Sequence, residues 1–263
     1  MGGHETRVRR EFAKQAASFE DVGYPLADGQ VIGWIRSHVS CGPGALVLDV
    51  AGGTGHMGRA FADTAAAAVV LDLTHEMLEA GQKVAAGVGL RNVLFIAGDA
   101  AQMPFVNGSF DLVVCRFAVH HFEHPATQIA EMARVCQAGG RVAVVDMVAA
   151  HEELAAIQNR IERLRDPSHA RALTVRELRG LLEQASLSIV EEVRHDQPIS
   201  VTRWLSQAQT PEEVGHAIRA QLTGELDGGA PTGMRPVMRE AELCHTQRWA
   251  IILADKPLTP TGR

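Results

Sequence analysis

Three glycines near residue 50 form a turn that could hold a nucleotide-like ligand. An apolar run at residues 45–50 breaks into Gly52, Gly53 and Gly55, and an amphipathic segment follows at once. This order predicts a strand, a tight turn and a helix. Glycine suits the turn because it permits positive φ and lets a ligand approach the backbone where a Cβ would collide. We therefore expect a binding site at this turn.

Two acids beside the turn narrow the chemistry of the ligand. Asp49 lies in the strand before the glycines, and Asp72 lies at the end of the next apolar run, residues 68–73. An acid at the tip of the second strand can accept hydrogen bonds from both hydroxyls of an adenosine ribose. An acid within the loop itself is unfavourable beside a pyrophosphate and favourable beside a cation. The predicted ligand is a ribonucleoside with positive charge, and S-adenosylmethionine carries both an ammonium and a sulfonium.

The same glycines leave an alternative open. Residues 53–58 satisfy G-x-G-x-x-G, and Asp72 lies at the distance expected for a dinucleotide site. An NAD(P)-dependent oxidoreductase is the less favoured interpretation, because Asp49 and the loop at residues 98–100 do not suit it. A Tyr-x-x-x-Lys pair is also absent, since Tyr24 is the only tyrosine.

Five short motifs follow one another in an ordered series. They are residues 49–55 (DVAGGTG), 70–72 (VLD), 98–100 (GDA), 110–116 (FDLVVCR) and 120–122 (HHF). In this order they resemble the class I S-adenosylmethionine-dependent methyltransferases, most closely the branch of the quinone C-methyltransferases and many small-molecule methyltransferases. The motifs span about Phe12 to Asp146, and residues 165–169 (RDPSH) with the later Trp249 strand look like one bacterial subgroup. Ala51 stands where the family usually has its first glycine, and we expect a slightly shifted turn there.

The resemblance implies S-adenosylmethionine as the cofactor and a role for several side chains. Asp49 would meet the methionine ammonium, directly or through water, and Asp72 would hold the ribose. Asp99 and Ala100 would bind the adenine amino edge, with Met77 or Met103 packed on the ring. Residues 12–19 resemble the family's lid segment, in which Gln15 and Phe19 become cofactor contacts. The expected cofactor-binding residues are Asp49, Ala51, Gly52, Gly53, Gly55, Asp72, Leu73, Met77, Asp99, Ala100, Arg116, Phe19 and Gln15.

Two adjacent histidines are the candidates for acceptor activation. His120 and His121 follow the fourth predicted strand, at the carboxyl edge where open parallel sheets build their sites. A histidine can take the acceptor proton near neutral pH, which makes both candidates for a catalytic base. The alternative is structural: one packs against the sheet and the other caps the helix that starts at Pro125. Metal binding by these residues and His124 is not expected, because no carboxylate pair lies nearby.

The acceptor is predicted to be a small molecule methylated on carbon or oxygen. Arg116 ends the fourth strand, where methyltransferases of amino groups and DNA usually carry an Asn/Asp-Pro-Pro-aromatic motif, and that motif is absent. The alternative from another class is a scaffold of the same fold that binds the cofactor without methyl transfer, for rearrangement, cyclisation or interaction. With only three Trp and one Tyr, no stacking box for a large planar acceptor is expected.

A run of cations between residues 160 and 171 has two interpretations. Its members are Arg160, Arg163, Arg165, Arg171 and His169. They either face an anionic acceptor or, as we favour, form a solvated helix face paired with Glu152, Glu153 and Glu162.

Composition excludes several classes of partner. The formal net charge is −6 and there is no long basic block, which argues against nucleic acid. The longest apolar run is too short to cross a bilayer, and the four cysteines form no C-x-x-C pair, which is typical of reduced thiols. We expect a cytoplasmic monomer or homodimer that acts on a small molecule, with no metal and no membrane contact.

Alternating strand and helix signals must position these residues. They predict right-handed βαβ units and a parallel sheet, with strands at residues 45–50, 68–73, 93–97, 110–116, 142–145, 187–193 and 248–254. We expect an α/β fold: a Rossmann-like, seven-stranded, mostly parallel sheet with helices on both faces. A single methyltransferase domain is expected over residues 1–263, with an N-terminal helical lid (1–44), a cofactor-binding core (45–146), and a substrate cap with the C-terminal strands (147–263). Residues 174–177 and 210–213 predict capping boxes that open two helices of the cap.

Overall fold

A computed structural model describes residues 3–16, 19–20 and 28–258. Within these ranges the chain forms nine α-helices and one eight-stranded sheet. The helices are α1 (Gly3–Gln15), α2 (Gly29–His38), α3 (His56–Ala60), α4 (His75–Gly87), α5 (Pro125–Val135), α6 (Ala155–Arg165), α7 (Val175–Gln184), α8 (Val201–Gln207) and α9 (Glu212–Leu226). The strands are β1 (Leu46–Val50), β2 (Ala67–Asp72), β3 (Val93–Ala97), β4 (Phe110–Arg116), β5 (Cys136–Val148), β6 (Ser188–Ser200), β7 (Pro236–Arg239) and β8 (Glu242–Asp255).

The strand order opens a crevice at one edge of the sheet. The order is β3-β2-β1-β4-β5-β8-β6, and β1 to β5 pair in parallel. The chain moves outward from β1 to β3 and then restarts at β4 on the other side of β1. Such a reversal opens a crevice at the carboxyl ends of the strands, where ligands of open α/β sheets bind. The predicted α/β fold with a mostly parallel sheet is confirmed.

The predicted strand count is wrong by one. Residues 236–239 form β7, which pairs antiparallel with the start of β8, so that β8 begins at residue 242 and not at 248. The turn between them consists of Glu240 and Ala241, with φ of 46° and 66°. Hairpin turns with two positive φ values usually carry Asn or Gly. Because neither residue is of that kind, the sequence contained no hairpin signal.

Two apolar layers cover the two faces of the sheet. Alternate residues of the central strands point to opposite sides: Val113 and Val144 belong to one layer, and Val114 and Val145 to the other. All four side chains have no exposed surface. This explains why the strands are continuous apolar runs, as a parallel sheet between two helical layers requires.

One of the two predicted capping boxes is present. At the start of α7, Glu177 N donates to Thr174 Oγ1 (3.1 Å), and Thr174 N donates to Glu177 Oε2 (2.8 Å). The second capping box is wrong, because α9 begins after Pro211 with no side-chain cap. The Thr210 hydroxyl instead donates to the Arg165 carbonyl (3.0 Å), at the last residue of α6.

The N-terminal segment is described in parts. Of the predicted lid segment, the structure describes residues 12–16 and 19, and α1 covers residues 12–15 of it. Ala17, Ser18 and Tyr24 lie outside the described residues. No helix in the part of the chain that the structure covers combines the length and the apolar character needed to cross a membrane.

Candidate active site

A cavity of about 290 Å³ lies at the carboxyl edge of the sheet. The loops that follow β1, β2, β3 and β4 line it, α1 contributes to its wall, and α6, α8 and β8 complete the opposite side. The predicted residues that line it are Gln15, Phe19, Asp49, Ala51, Gly52, Gly53, Asp72, Leu73, Met77, Asp99, Ala100, Arg116, His120 and His121. The fold therefore brings the cofactor candidates and both histidines into one space.

The glycine turn keeps its shape for steric reasons. A Cβ on Gly52 would lie 2.6 Å from the Asp49 carboxyl carbon, and a Cβ on Gly53 would lie 2.9 Å from the Met77 methyl. Gly55 has φ of 80° and a Cβ there would lie 2.9 Å from Val70, but Gly55 does not line the cavity. Gly55 thus packs against β2, and its contact with the cofactor stays a prediction.

Ala51 keeps a left-handed conformation. Its φ is 50°, in the region that glycine adopts readily and other residues adopt at a cost of roughly 1–2 kcal/mol. The methyl group at the family's first glycine position is therefore accommodated by backbone strain next to the cavity.

Asp49 offers a ligand one carboxylate oxygen. Its Oδ2 accepts a hydrogen bond from Gly58 N (2.8 Å), while Oδ1 is buried with no hydrogen-bond partner. The side chain is 1% exposed, and burial raises the pKa of Asp49 to about 6. A buried carboxylate oxygen without a donor carries a large desolvation penalty. An ammonium group in the cavity fits this atom.

Asp72 is prepared for hydroxyl donors. Gly53 N donates to one of its oxygens and Thr74 N donates to the other, both at 2.8 Å. Burial raises the pKa of Asp72, and the two backbone N–H groups oppose that rise. Each carboxylate oxygen has a second acceptor site. Both hydroxyls of a ribose fit these positions.

The adenine end of the predicted site combines the loop after β3 with helix α4. Asp99 Oδ1 accepts a hydrogen bond from Ala101 N (2.7 Å), which orders the loop after β3. Met77 is 1% exposed and lines the cavity, whereas Met103 is buried and does not line it. Of the two predicted ring contacts, only Met77 has a position that suits the role.

Glu20 ties the segment that carries Phe19 to the glycine turn, and the sequence analysis missed it. Its carboxylate accepts hydrogen bonds from Thr54 Oγ1 (2.5 Å) and Arg59 Nη2 (2.6 Å). Burial by itself raises the pKa of Glu20, but its bonds to His56, Thr54 and Arg59 lower it to about 2. An acid next to the predicted lid segment gives no sequence signal for such a contact.

His120 is held by a carboxylate. Its Nδ1 donates to Asp146 Oδ1 (2.5 Å), and its backbone N donates to Asp146 Oδ2 (3.0 Å). Burial by itself lowers the pKa of His120, but the Asp146 carboxylate outweighs it and the pKa is raised. An ionised carboxylate only accepts hydrogen bonds, so Nδ1 carries the proton and Nε2 has the free lone pair in the neutral ring. No hydrogen bond joins Nε2 to another described residue.

His121 has the opposite electrostatic environment. Its Nδ1 donates to the Ser168 carbonyl (3.0 Å), and its ring packs edge-on against Phe12 at 4.9 Å between centroids. Burial and the neighbouring charge of His120 lower the pKa of His121 to about 4. Two neighbouring imidazoles thus differ in charge tendency, a pattern that often separates roles at a site. Neither ring caps α5, because His124 occupies the N-cap position.

Asp146 is the second residue that sequence reasoning missed. It is 2% exposed at the carboxyl end of β5. The available signal was an acid near the end of a predicted strand, at the same sheet edge as the histidines.

The far side of the cavity is aromatic, although the composition gave no sign of a stacking box for a large planar acceptor. Phe117, Trp204 and Trp249 line this side, and the Phe117 and Trp249 rings meet edge-on at 5.0 Å. Phe117 has φ of 50°, a strained conformation next to the site. Composition could not reveal this wall, because two of only three tryptophans converge on it.

The cation run divides between the cavity and the surface. Arg165 lines the cavity. The other three arginines contact residues outside it: Arg160 bonds Gln221, Arg163 bonds the Ala170 carbonyl, and Arg171 pairs with Glu177. The expected solvated face therefore fails for Arg165, and also for Glu162, which is 1% exposed.

Comparison with known proteins gives consistent matches. A family model described as "Methyltransferase domain" matches residues 48–144. The "Uncharacterized methyltransferase YcgJ" of Bacillus subtilis (strain 168) is 32% identical over 222 residues, which cover 84% of this chain and 87% of the relative. The "Demethylmenaquinone methyltransferase" of Renibacterium salmoninarum is 36% identical over 141 residues, which cover 50% of this chain and 57% of the relative.

Solved structures agree with the sequence matches. The crystal structure of the YcgJ protein has a TM-score of 0.80 at 27% identity and covers 88% of this chain and 100% of that chain. Phosphoethanolamine N-methyltransferase 2 of Haemonchus contortus, solved in complex with S-adenosyl-L-methionine, has a TM-score of 0.66 at 13% identity, with 98% of this chain and 60% of that chain covered. At that identity the likeness shows the fold alone.

Proposed function

Because the chain belongs to the S-adenosylmethionine-dependent methyltransferases, we propose that it transfers a methyl group to a carbon or oxygen atom of a small-molecule acceptor whose proton His120 removes. The observation that carries this proposal is that His120, held by Asp146, lines the same cavity as Asp49 and Asp72. A cofactor site and a base that share one space are what an acceptor with an ionisable proton needs.

We propose that the cofactor binds to carboxylate oxygens of Asp49 and Asp72 that can accept further hydrogen bonds. S-adenosylmethionine, when bound, would supply a methyl group on a sulfonium, from which the neutral thioether of S-adenosylhomocysteine leaves readily. We assign Asp49 Oδ1 to the ammonium and the Asp72 carboxylate to the ribose hydroxyls. The other proposed contacts are Gln15, Phe19, Ala51, Gly52, Gly53, Leu73, Met77, Asp99, Ala100 and Arg116. Their task is alignment and exclusion of water, and such positioning contributes on the order of 7–11 kcal/mol in favourable cases.

The two histidines divide the work on the acceptor. His120 Nε2 accepts the proton, and Asp146 stabilises the imidazolium that forms and fixes the ring. His121 stays neutral because its pKa is lowered to about 4, and its Nε2 is available to accept a hydrogen bond that orients the acceptor. Base assistance of this kind typically contributes ~10²–10⁴-fold in rate.

A carbon or oxygen acceptor is favoured over an amine by two observations. Arg116 and Phe117 occupy the end of β4, where the Asn/Asp-Pro-Pro-aromatic motif of amine methyltransferases would stand. The Renibacterium relative is named for demethylmenaquinone, a quinone and not an amine. We further propose that the acceptor is a free metabolite and not a nucleic acid, in keeping with the net charge of −6, and that the protein acts as a monomer or homodimer.

Three parts of the chain contribute to the proposed active site. Residues 1–44 serve as the lid, since α1 lines one wall of the cavity. Residues 45–146 hold the cofactor. Residues 147–263 form the acceptor cap through Arg165, Trp204 and Trp249. We propose that these parts act as one domain.

The decisive experiment follows the methyl group. The purified protein is incubated with methyl-labelled S-adenosylmethionine and a small-molecule extract of its host, and labelled products and S-adenosylhomocysteine are followed by mass spectrometry. We expect a labelled product, lost in His120→Gln and retained in His216→Gln, a 71% exposed histidine on α9. Cofactor binding without any labelled product would favour the scaffold that does not transfer methyl groups.

A further inference from the structure

Arg165 lines the cavity and is fixed in place by its contacts with Trp204. Its Nε donates to the Trp204 carbonyl (3.0 Å), and its guanidinium carbon lies 5.2 Å from the centre of the Trp204 ring. The Thr210 hydroxyl holds its backbone carbonyl at 3.0 Å. The side chain is 17% exposed and lines the cavity. This cation is therefore positioned before any acceptor arrives.

The two terminal nitrogens of Arg165 have no hydrogen bond to a described residue. The nearest carboxylate oxygen, Asp166 Oδ2, is 3.7 Å from Nη1, too far for a hydrogen bond. Asp166 is engaged elsewhere, because its Oδ1 accepts hydrogen bonds from Ser168 N (2.8 Å) and Ser168 Oγ (2.5 Å). The planar fork formed by Nη1 and Nη2 is thus available to a ligand.

Two acids lie near this charge: Asp166, where burial by itself raises the pKa but the charges of His121 and Arg165 lower it, and Glu162, whose pKa is raised. Besides Asp166, Glu162 lies close enough to Arg165 for their charges to interact, but burial raises the pKa of Glu162 to about 7. Near neutral pH that carboxyl is protonated about half of the time. Glu162 also does not line the cavity. Asp166 therefore meets the charge of Arg165 without a hydrogen bond, and the donors on Nη1 and Nη2 stay available to an acceptor.

A series of contacts through three other residues connects Arg165 to His120, the proposed base. Asp166 bonds Ser168, the Ser168 carbonyl accepts a hydrogen bond from His121, and the His121 and His120 ring centroids are 4.1 Å apart. Arg165, His120 and His121 all line the same cavity. One acceptor molecule can meet Arg165 and the histidines.

We propose that Arg165 binds a carboxylate of the acceptor, so that the substrate class is small organic acids that also bear the proton His120 removes. This inference rests on the proposed function and specifies its acceptor. Two parallel N–H···O bonds from the planar fork match a carboxylate and give both affinity and orientation. Phe117, Trp204 and Trp249 supply an apolar wall for the body of the acid. Because the fork is ordered in advance, little side-chain freedom is lost on binding.

A binding assay without turnover tests this proposal. Acetate, benzoate and 2-naphthoate are each compared with the matching amide by calorimetry at saturating S-adenosylhomocysteine, with Trp204 and Trp249 fluorescence as a second signal. We expect at least one acid to bind ~10-fold or more tightly than its amide, as one charge-assisted bidentate pair implies. If no acid binds better than its amide, the proposal is overturned.

Two variants on the same helix separate a specific role from a general charge effect. Arg165→Gln is expected to abolish the acid preference, and Arg160→Gln, an exposed residue bonded to Gln221, is expected to keep it. Survival of the preference in Arg165→Gln contradicts the proposal. If Arg165→Gln no longer binds S-adenosylhomocysteine, Arg165→Lys is tested instead, because lysine retains the charge without the planar fork. Arg165→Lys should lose most of the preference for the acid over its amide. A preference equal to that of the wild type overturns the inference.

The outcome is separable from that of the proposed function. The acid and amide comparison needs no methyl transfer, whereas the label experiment needs no knowledge of the acceptor's charge. An acid preference without a labelled product would leave this subsite standing and remove the transferase step. A labelled product that is not an anion at neutral pH would support methyl transfer and overturn the carboxylate subsite.

Discussion

Replacing Asp146 by Asn tests the assignment of His120 most directly. The substitution keeps the size of the side chain and removes the charge that faces His120 Nδ1 at 2.5 Å. The Asn carbonyl can still accept one hydrogen bond, so the ring loses mainly its electrostatic partner. Asp146 is a positioning residue, because it acts on the acceptor only through His120.

The size of the effect follows from the geometry of the pair. Two unit charges whose centres are about 4 Å apart interact by roughly 4 kcal/mol at an effective dielectric constant near 20. That energy corresponds to about 3 pKa units. In the wild type this attraction outweighs the effect of burial, which lowers the pKa of His120. Without it, burial dominates, and we expect the pKa of His120 to fall from above its usual value of about 6.5 to below that value.

The first assay is an NMR titration of labelled histidine in the presence of S-adenosylhomocysteine, which needs no acceptor. The His120 signal is identified by its loss in His120→Gln. Once an acceptor is known, the pH dependence of kcat/KM adds a second measurement. A base works only when unprotonated, so activity falls as the pH drops through the pKa of His120. In Asp146→Asn this acid limb should move to lower pH, while the plateau falls by ~10²–10⁴-fold because the imidazolium loses its partner.

The His120–Asp146 ion pair should also affect the free energy of unfolding. The pKa of His120 is raised in the folded state, so the ion pair stabilises the fold fully below the unfolded-state pKa of about 6.5. This contribution disappears as the pH rises through the folded-state pKa. The loss of unfolding free energy in Asp146→Asn should therefore be larger at low pH than at high pH, measured by urea denaturation of both proteins.

A surface aspartate provides the control. Asp255 pairs with Arg141 and is 38% exposed, and Asp255→Asn should leave the His120 titration unchanged. The reasoning is refuted if Asp146→Asn gives the wild-type pKa of His120 and the wild-type acid limb while it still binds S-adenosylhomocysteine.

Three further outcomes are expected. Asp72→Ala should weaken S-adenosylmethionine binding at least ~10-fold in calorimetry, because it removes charge-assisted hydrogen bonds to the ribose; unchanged affinity would eliminate that role. Affinity for S-adenosylmethionine should fall up to ~10-fold per pH unit below the Asp49 pKa of about 6, since protonation removes the charge that meets the ammonium. Asp49→Asn should make the affinity independent of pH in this range. A wild-type affinity that does not change with pH would contradict the assignment. Ala51→Gly should raise the free energy of unfolding by about 1 kcal/mol, because relief of the left-handed strain exceeds the added chain entropy. Ala86→Gly, on an exposed and ordinary turn of α4, should lower it by roughly 0.5–1 kcal/mol, and equal effects at the two sites would argue against strain at Ala51.

Much of the parallel core was predictable because its signals are local. The predicted strands near residues 46–50, 93–97 and 110–116 correspond to β1, β3 and β4. Each is a short apolar run, which a strand covered on both faces requires. The extra strand β7 was not predictable, because its turn has no glycine or asparagine to announce it.

The cofactor side of the candidate site was also visible in the sequence. Asp49, Gly52, Gly53 and Asp72 lie within 24 residues of one another, in loops that one strand order brings together. Gly55 differs from these residues, because it packs against Val70 and does not line the cavity, and its contact with the cofactor stays a prediction.

The acceptor side depends on contacts between distant parts of the chain. Asp146 reaches His120 across 26 positions, and Trp204 reaches Arg165 across 39 positions. No local pattern distinguishes Arg165 from the exposed Arg160 on the same helix. Which of them enters the cavity is set by the direction of α6 and by the Trp204 carbonyl.

Local residue chemistry alone therefore determined the class of fold, the glycine turn and the acids that suit a cationic nucleoside, since hydrophobic periodicity and backbone sterics act over a few residues. The charge state of His120, the neutrality of His121 and the orientation of Arg165 were determined only when the folded chain brought remote partners within hydrogen-bond range. Electrostatic environments of this kind depend on burial and on through-space distance, and neither quantity is written in the order of the residues.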